Sequence, residues 1–85
     1  MKKREPILIH MEILASLCSS PKGPTRLAQA CNLNYGRIDG FTDALKEKGL
    51  ITTRTVDGQE VLAITDQGYS LYKEWLEIWR KLPLD

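Results

Sequence analysis

The sequence is poor in the residues that carry most enzyme chemistry. It holds one histidine, His10, and two cysteines, Cys18 and Cys31, in 85 residues. The cysteine spacing matches no zinc motif, and a single histidine does not complete a site of four ligands. The sequence shows neither a glycine-rich phosphate loop nor a set of nucleophile, histidine and carboxylate. We therefore predict no catalytic residues, no metal site and no cofactor, and an enzyme is the least favoured class.

Long apolar runs are missing as well. No stretch approaches the ~20 apolar residues of a membrane-spanning helix, so we expect no membrane partner. The first residues resemble a signal peptide, but Glu5, His10 and Glu12 interrupt the apolar segment and no small-residue cleavage site follows. We interpret this segment as a structural helix of a cytoplasmic protein. Cys18 and Cys31 are then reduced core residues, and a disulfide between them is the alternative.

The most informative stretch is residues 24–41, which carries apolar side chains at the spacing of two short helices. Two pairs lie about one helical turn apart, and a fifth apolar residue lies between the pairs, next to Asn32. This spacing predicts two helices that cross at a tight turn, the corner by which many proteins place a helix in the DNA major groove. The five apolar positions are Leu27, Cys31, Leu33, Ile38 and Phe41.

Turn and cap residues divide the chain into four helices and one hairpin. Gly49 is a typical helix C-terminal cap, and Asp57-Gly58 predicts a two-residue type I′ turn, which needs a positive φ at both positions. That turn pairs Ile51 with Ile64, and we expect their face of the hairpin to pack on the helices. The predicted elements are helix 1 from Pro6 to Ser19, helix 2 from the N-cap Thr25 to Cys31, helix 3 from the N-cap Asn34 to Lys48, strands Ile51–Val56 and Gln59–Ile64, and a last helix from the N-cap Thr65 to Leu82.

Three helices followed by a hairpin and a further helix describe a winged helix. The step GLI at 49–51 leads into the hairpin, and ITDQG at 64–68 opens the final helix. Both resemble the corresponding steps of winged-helix transcription regulators. Within that superfamily the chain is most similar to small archaeal winged-helix DNA-binding proteins, on the residues ACNLNY at 30–35 that open the second helix of the corner.

The resemblance implies a mainly α fold with a small two-stranded β-hairpin, as one winged-helix domain over residues 1–85. The helix-turn-helix and the wing occupy 1–65, and residues 66–82 form a C-terminal dimerisation helix. In the family this helix makes an antiparallel coiled-coil dimer. The helix of this chain spans only ~25 Å, which is shorter than the coiled coil of the family.

The net charge of +1 is low for a nucleic-acid-binding domain, which is commonly basic. The distribution of charge favours DNA more than the total does, because the first residues, the corner and the hairpin are rich in basic side chains. Asp39 and Asp43 on helix 3 repel phosphates, so we expect only the first turn of that helix to enter a groove. The predicted DNA-binding residues are Lys22, Thr25, Arg26, Asn34, Tyr35, Gly36, Arg37, Arg54 and Thr55, preceded by a basic segment at Lys2, Lys3 and Arg4.

Gly36 and Gly40 lie one turn apart and leave one strip of helix 3 bare. Each glycine costs roughly 1 kcal/mol of helix stability relative to alanine. Close approach to a DNA backbone or to another helix explains the pair functionally, and a tolerated weak helix is the alternative. Arg37 lies beside this strip, and two DNA contacts are open to its guanidinium: a guanine edge or a phosphate.

Two helices are more apolar than one small core needs. Helix 1 carries a second apolar stripe. The last helix holds both tryptophans, and its residues Tyr72, Trp75, Trp79 and Leu82 are spaced by three, four and three positions, as in a coiled-coil seam. We predict a homodimer through these surfaces; the alternative is that the last helix only covers its own domain. The predicted interface residues are Ile9, Ile13, Tyr72, Trp75, Trp79 and Leu82.

The leading hypothesis is a dimeric winged-helix protein that binds double-stranded DNA as a transcription regulator. The alternative is a winged-helix module for protein–protein contacts that reads no DNA. Near-neutral charge and the acidic residues of helix 3 favour that alternative, and the fold alone does not separate the two.

Overall fold

The computed structural model describes residues 6–83 as four helices and a two-stranded antiparallel sheet. The fold is the predicted mainly α arrangement with one hairpin. The basic residues at positions 2–4 and the last two residues of the predicted domain lie outside the described part. The elements are α1 (Pro6–Ser19), α2 (Pro24–Ala30), α3 (Tyr35–Glu47), β1 (Ile51–Val56), β2 (Gln59–Ile64) and α4 (Asp66–Lys81).

Helix α1 is the centre of the core, because α2, α3, α4 and β2 all pack against it. Ile9 and Ile13 are only 2% and 0% exposed. The prediction that they form an outward stripe of a dimer interface is therefore wrong. A helix surrounded by four elements needs apolar side chains on more than one side, so its second stripe serves the protein's own core.

The turn between α2 and α3 follows its predicted chemistry. Asn32 adopts the left-handed conformation, with φ of 54°, which asparagine tolerates better than most residues. The Asn34 side chain caps α3 by accepting a hydrogen bond from the Gly36 N–H at 2.8 Å. The start of α2 differs from the prediction, since the N-cap is Gly23 and not Thr25. Pro24 occupies the first turn, where its fixed φ and missing N–H suit a helix start.

The hairpin has the predicted register, with Ile51 paired to Ile64 across the sheet. Asp57 and Gly58 have φ of 52° and 77°, as a type I′ turn requires. A third segment joins β2, because Lys22 and Leu62 exchange two backbone hydrogen bonds of 3.0 and 2.8 Å. The wing is therefore tied to the loop that precedes α2.

The start of α4 is held against the step between α3 and β1. Gly49 ends α3 with φ of 74°, and the Thr65 hydroxyl donates to the Gly49 carbonyl oxygen at 2.7 Å. The same hydroxyl accepts a hydrogen bond from the Gly68 N–H at 3.0 Å. A Cβ at position 68 would overlap the Leu50 carbonyl oxygen and lie 2.9 Å from Cγ1 of Ile64. Only glycine fits there, which gives a physical reason for glycine at the end of the ITDQG motif.

We expect Gly68→Ala to lower the free energy of unfolding by at least ~2 kcal/mol, because the added methyl group meets backbone that cannot move alone. Gly40→Ala is the matched control, since a Cβ there meets nothing within 4 Å. That change should raise stability by about 0.5–1 kcal/mol through helix propensity. Urea denaturation of both variants measures the difference. Equal stabilities would contradict the close approach of α4 to Leu50.

Candidate nucleic-acid interface

The predicted DNA-binding residues come from three places in the fold: the loop and first turn of α2, the cap and first turn of α3, and strand β1. All except Lys22 are exposed. Thr25 and Arg26 share a shallow hollow of about 470 Å³ with Gln59 and Glu60 of the wing. The start of α2 and strand β2 are therefore neighbours. Arg54 and Thr55 lie on β1, where Thr55 pairs with Glu60 across the hairpin.

The cap of α3 accounts for one of its two glycines. Oδ1 of Asn34 accepts from the Gly36 N–H, and a Cβ on Gly36 would lie 3.3 Å from that same oxygen. A side chain at position 36 would therefore crowd the cap. No such reason exists at Gly40, where the space is open. The amide nitrogen of Asn34 remains a donor that can face a ligand.

Tyr35 and Arg37 are the prominent side chains of this first turn. Tyr35 is 58% exposed, an unusual position for an aromatic side chain without a partner surface. The Arg37 guanidinium lies 5.6 Å from the centre of the Phe41 ring, which gives it a preferred direction along the helix. Phe41 as a neighbour of Arg37 was missing from the sequence-based set, although the spacing of four residues on a helix was available to find it.

Lys22 differs from its predicted role. Its ammonium donates to the Ser16 carbonyl oxygen at 2.6 Å and lies 3.2 Å from the Ser20 carbonyl oxygen. These carbonyls stand at the C-terminal end of α1, where a positive charge is favourable. With its backbone paired to Leu62 as well, Lys22 joins α1 to the wing. Its geometry fits a structural residue better than a phosphate contact.

The remainder of α3 is acidic on its exposed side. Asp39, Asp43 and Glu47 follow one another at intervals of one turn and all are exposed. Lys46 neutralises this side only in part, through a loose contact of 4.0 Å with Asp43. Phosphates are attracted to the first turn of α3 and repelled from its later turns.

Helix α4 carries two different apolar surfaces. Tyr72, Trp75 and Trp79 form a stacked series, with ring centres 6.4 and 5.0 Å apart. Together with Leu8, Met11 and Ala15 they line a groove of about 290 Å³ between α1 and α4. These rings therefore line the groove with the protein's own α1, while Trp79 keeps 39% of its surface exposed. A second set points outward and is 37%, 60% and 51% exposed; it consists of Leu71, Ile78 and Leu82.

Other chemistry finds little support within residues 6–83. No three histidine, cysteine, aspartate or glutamate side chains of this part are placed to hold a metal ion. No disulfide joins Cys18 and Cys31, and burial raises the pKa of the Cys18 thiol. Among the described helices none is long and apolar enough to cross a membrane.

Comparison with known proteins agrees with this architecture. A family model described as winged helix-turn-helix matches residues 3–82. The chain therefore belongs to the winged helix-turn-helix family. No curated protein matches it in sequence.

Several solved structures share the fold at low sequence identity. The transcriptional regulator BldR from Sulfolobus solfataricus superposes with a TM-score of 0.78 and 22% identity, over 86% of this chain and 55% of BldR. This chain thus spans about half the length of BldR. The DNA-binding protein Sso10a-2 from the same organism gives a TM-score of 0.70 and 24% identity, over 91% of this chain and 83% of that one.

A third neighbour is a homodimeric winged helix-turn-helix DNA-binding domain from Mycobacterium bovis. Its TM-score is 0.75 and its identity 19%, over 86% of this chain and 68% of that domain. At these identities the likeness establishes the fold alone.

Lys22 and Arg26 offer a matched pair that separates a structural cation from a surface cation. Lys22→Gln should lower the free energy of unfolding by about 1 kcal/mol, because the end of α1 loses its positive charge. Arg26→Gln should stay within about 0.5 kcal/mol of the parent, as exposed substitutions usually do. Urea denaturation measures both. A larger loss for Arg26→Gln than for Lys22→Gln would contradict the assignment.

Proposed function

We propose that the protein is a homodimeric transcription regulator that binds double-stranded DNA. The observation that carries this proposal is the exposed first turn of α3, with Tyr35 and Arg37 set at the corner of a winged helix. Solved neighbours described as transcriptional regulators and DNA-binding proteins support it. Binding to chromosomal DNA is also consistent with the cytoplasmic location that we expect from the sequence.

The first turn of α3 enters the groove edge with Asn34, Tyr35 and Arg37. Arg26 at the start of α2 and Arg54 on the wing contact phosphates on either side, because guanidinium groups bind phosphate oxygens in a fork. The acidic later turns of α3 stay away from the backbone. Such a site depends on a few cations, so binding should weaken steeply as salt rises.

The dimer surface that we propose keeps Trp75 and Leu82 of the predicted set on α4 and replaces Tyr72 and Trp79 by Leu71 and Ile78. Tyr72 and Trp79 line the groove with α1 of the same chain, although Trp79 keeps 39% of its surface exposed, and we leave both outside the seam. Leu71, Ile78 and Leu82 point outward, and Trp75 completes a spacing of four, three and four, which is also a coiled-coil seam. We therefore place the partner helix along Leu71, Trp75, Ile78 and Leu82.

Charges beside this seam favour an antiparallel partner. Glu74 and Lys81 occupy the same flank of the seam, one heptad apart. In an antiparallel pair Glu74 faces Lys81 of the partner subunit, and the twofold axis repeats the contact. In a parallel pair the flank with Glu74 and Lys81 lies against the other flank of the partner helix, which carries Tyr72 and Trp79. A parallel pair therefore makes no contact between Glu74 and Lys81.

Arg26 and Arg37 test DNA binding. The double change to alanine should reduce the affinity for mixed genomic duplex by at least about a hundredfold at low salt, since two cationic contacts to the duplex and the counterions that they release are lost. Gel shifts at two salt concentrations measure this. Arg80→Ala is the matched control, because Arg80 is an exposed arginine of α4 away from the corner, and it should bind as the parent does.

Two results would contradict the placement. A double variant that binds as well as the parent removes Arg26 and Arg37 from the interface. A parent protein that retards no duplex at micromolar concentration and low salt argues for a protein-interaction module instead.

The seam can be tested apart from DNA. Ile78→Asp should convert the dimer to a monomer, because a buried charge without a partner costs several kcal/mol. The side chain is 60% exposed, so the fold of the protomer should survive. Val56→Asp on the wing, at a residue 45% exposed, is the control and should stay dimeric. Light scattering gives the mass, and an unchanged mass for Ile78→Asp would remove this seam from the interface.

A further inference from the structure

Three side chains from two helices form a series on one flank of α3. The Arg37 guanidinium carbon lies 5.6 Å from the centre of the Phe41 ring. The same ring also contacts His10 of α1, at 5.3 Å between ring centres and 73° between planes. Nε2 of His10 is buried and makes no hydrogen bond within the described chain. The imidazole at this position acts as a packing surface for Phe41.

The Phe41 ring is held in place by its neighbours on α1 and in the core. It is partly buried and packs against the core cluster, while His10 meets it edge to face, a favoured geometry for two rings. Arg37 lies one turn earlier on the same side of α3, so its guanidinium reaches the face of this packed ring. The stacking selects one direction for an otherwise flexible, exposed side chain.

That direction runs along the flank of α3 that faces α1. Arg37, Gly40, Phe41 and Ala44 line a hollow of about 480 Å³ together with His10. The exposed side with Asp39 and Asp43 lies on a different part of the helix. An arginine held on the flank of a recognition helix faces the wall of the groove, which is sugar and phosphate, and not the base edges on its floor.

We propose that Phe41 is a positioning residue that holds Arg37 for contact with a DNA phosphate and not with a guanine edge. The inference rests on the proposed DNA-binding function and resolves the choice that the sequence leaves open for Arg37. With this contact Arg37 contributes to the affinity for any duplex and does not contribute to sequence preference.

The experiment is a double-mutant cycle on duplex binding. Phe41→Leu keeps an apolar side chain and removes the ring face, Phe41→Tyr keeps the ring, and both are made in the parent and in Arg37→Ala. Affinities are measured by fluorescence anisotropy on two unrelated duplexes over a salt series. Circular dichroism establishes that each variant is folded at the temperature used.

We expect Phe41→Leu to weaken binding about two- to fivefold on both duplexes, which is the value of an exposed cation–π contact. Phe41→Tyr should bind as the parent does. In the Arg37→Ala background Phe41→Leu should have no further effect. Arg37→Ala itself should lower the slope of log affinity against log salt by about 0.9 on both duplexes.

The outcomes separate this inference from the function on which it rests. An effect of Phe41→Leu that persists in Arg37→Ala means a general structural role and overturns the positioning role. A loss on Arg37→Ala confined to one duplex means a base contact and overturns the phosphate assignment alone. A parent that binds neither duplex overturns the proposed function together with this inference.

The stacking also has a test in the free protein. Ring currents of Phe41 should shift the Arg37 Cδ protons upfield in the NMR spectrum of the parent. Phe41→Leu should remove that shift, and Phe41→Tyr should keep it. Arg37 protons at ordinary positions in the parent would overturn the positioning role whatever the DNA result.

Discussion

The hydroxyl of Thr65 is the contact on which the arrangement of the other elements depends. It donates to the Gly49 and Leu50 carbonyl oxygens between α3 and β1 and accepts from the Gly68 N–H in the first turn of α4, so one oxygen ties these two segments together. Gly68 lets the two backbones meet at that point. The direction in which α4 leaves the domain is set here. The angle between the helix-turn-helix corner and the proposed dimer seam therefore depends on this junction together with the packing of α4 against α1.

Features that depend on local chemistry could be predicted from the sequence. The hairpin register follows from Asp57-Gly58, and the caps at Asn34 and Thr65 follow from side chains that reach their own helix. Features that depend on neighbours could not. Ile9 and Ile13 looked like surplus apolar surface because their periodicity does not reveal how many elements surround α1. Thr25 looked like a cap because capping propensity ignores the proline beside it.

The candidate DNA-binding site also has features that could be predicted from the sequence and features that could not. Exposure of Tyr35, Arg37 and Arg54 follows from the helix and strand periods, so the outline of the site was accessible. The partners of its side chains were not. The ammonium of the half-exposed Lys22 is held by a carbonyl of α1 that only the folded loop brings near, and Arg37 is directed by a ring whose own position depends on α1. Sequence identifies which residues face outward, while packing decides where they point.

The chain has two tryptophans, and both lie on α4, where their rings are 5.0 Å apart and nearly parallel. The corner and the wing contain none. Indole fluorescence therefore originates in the helix that carries the proposed seam, next to the groove with α1, and the helix-turn-helix corner, where we propose that DNA binds, contributes only tyrosine emission. A change in tryptophan emission on adding DNA would have to travel from the corner to α4 through the core or through the junction at Thr65. The molecule thus carries a built-in optical probe for communication between its two ends.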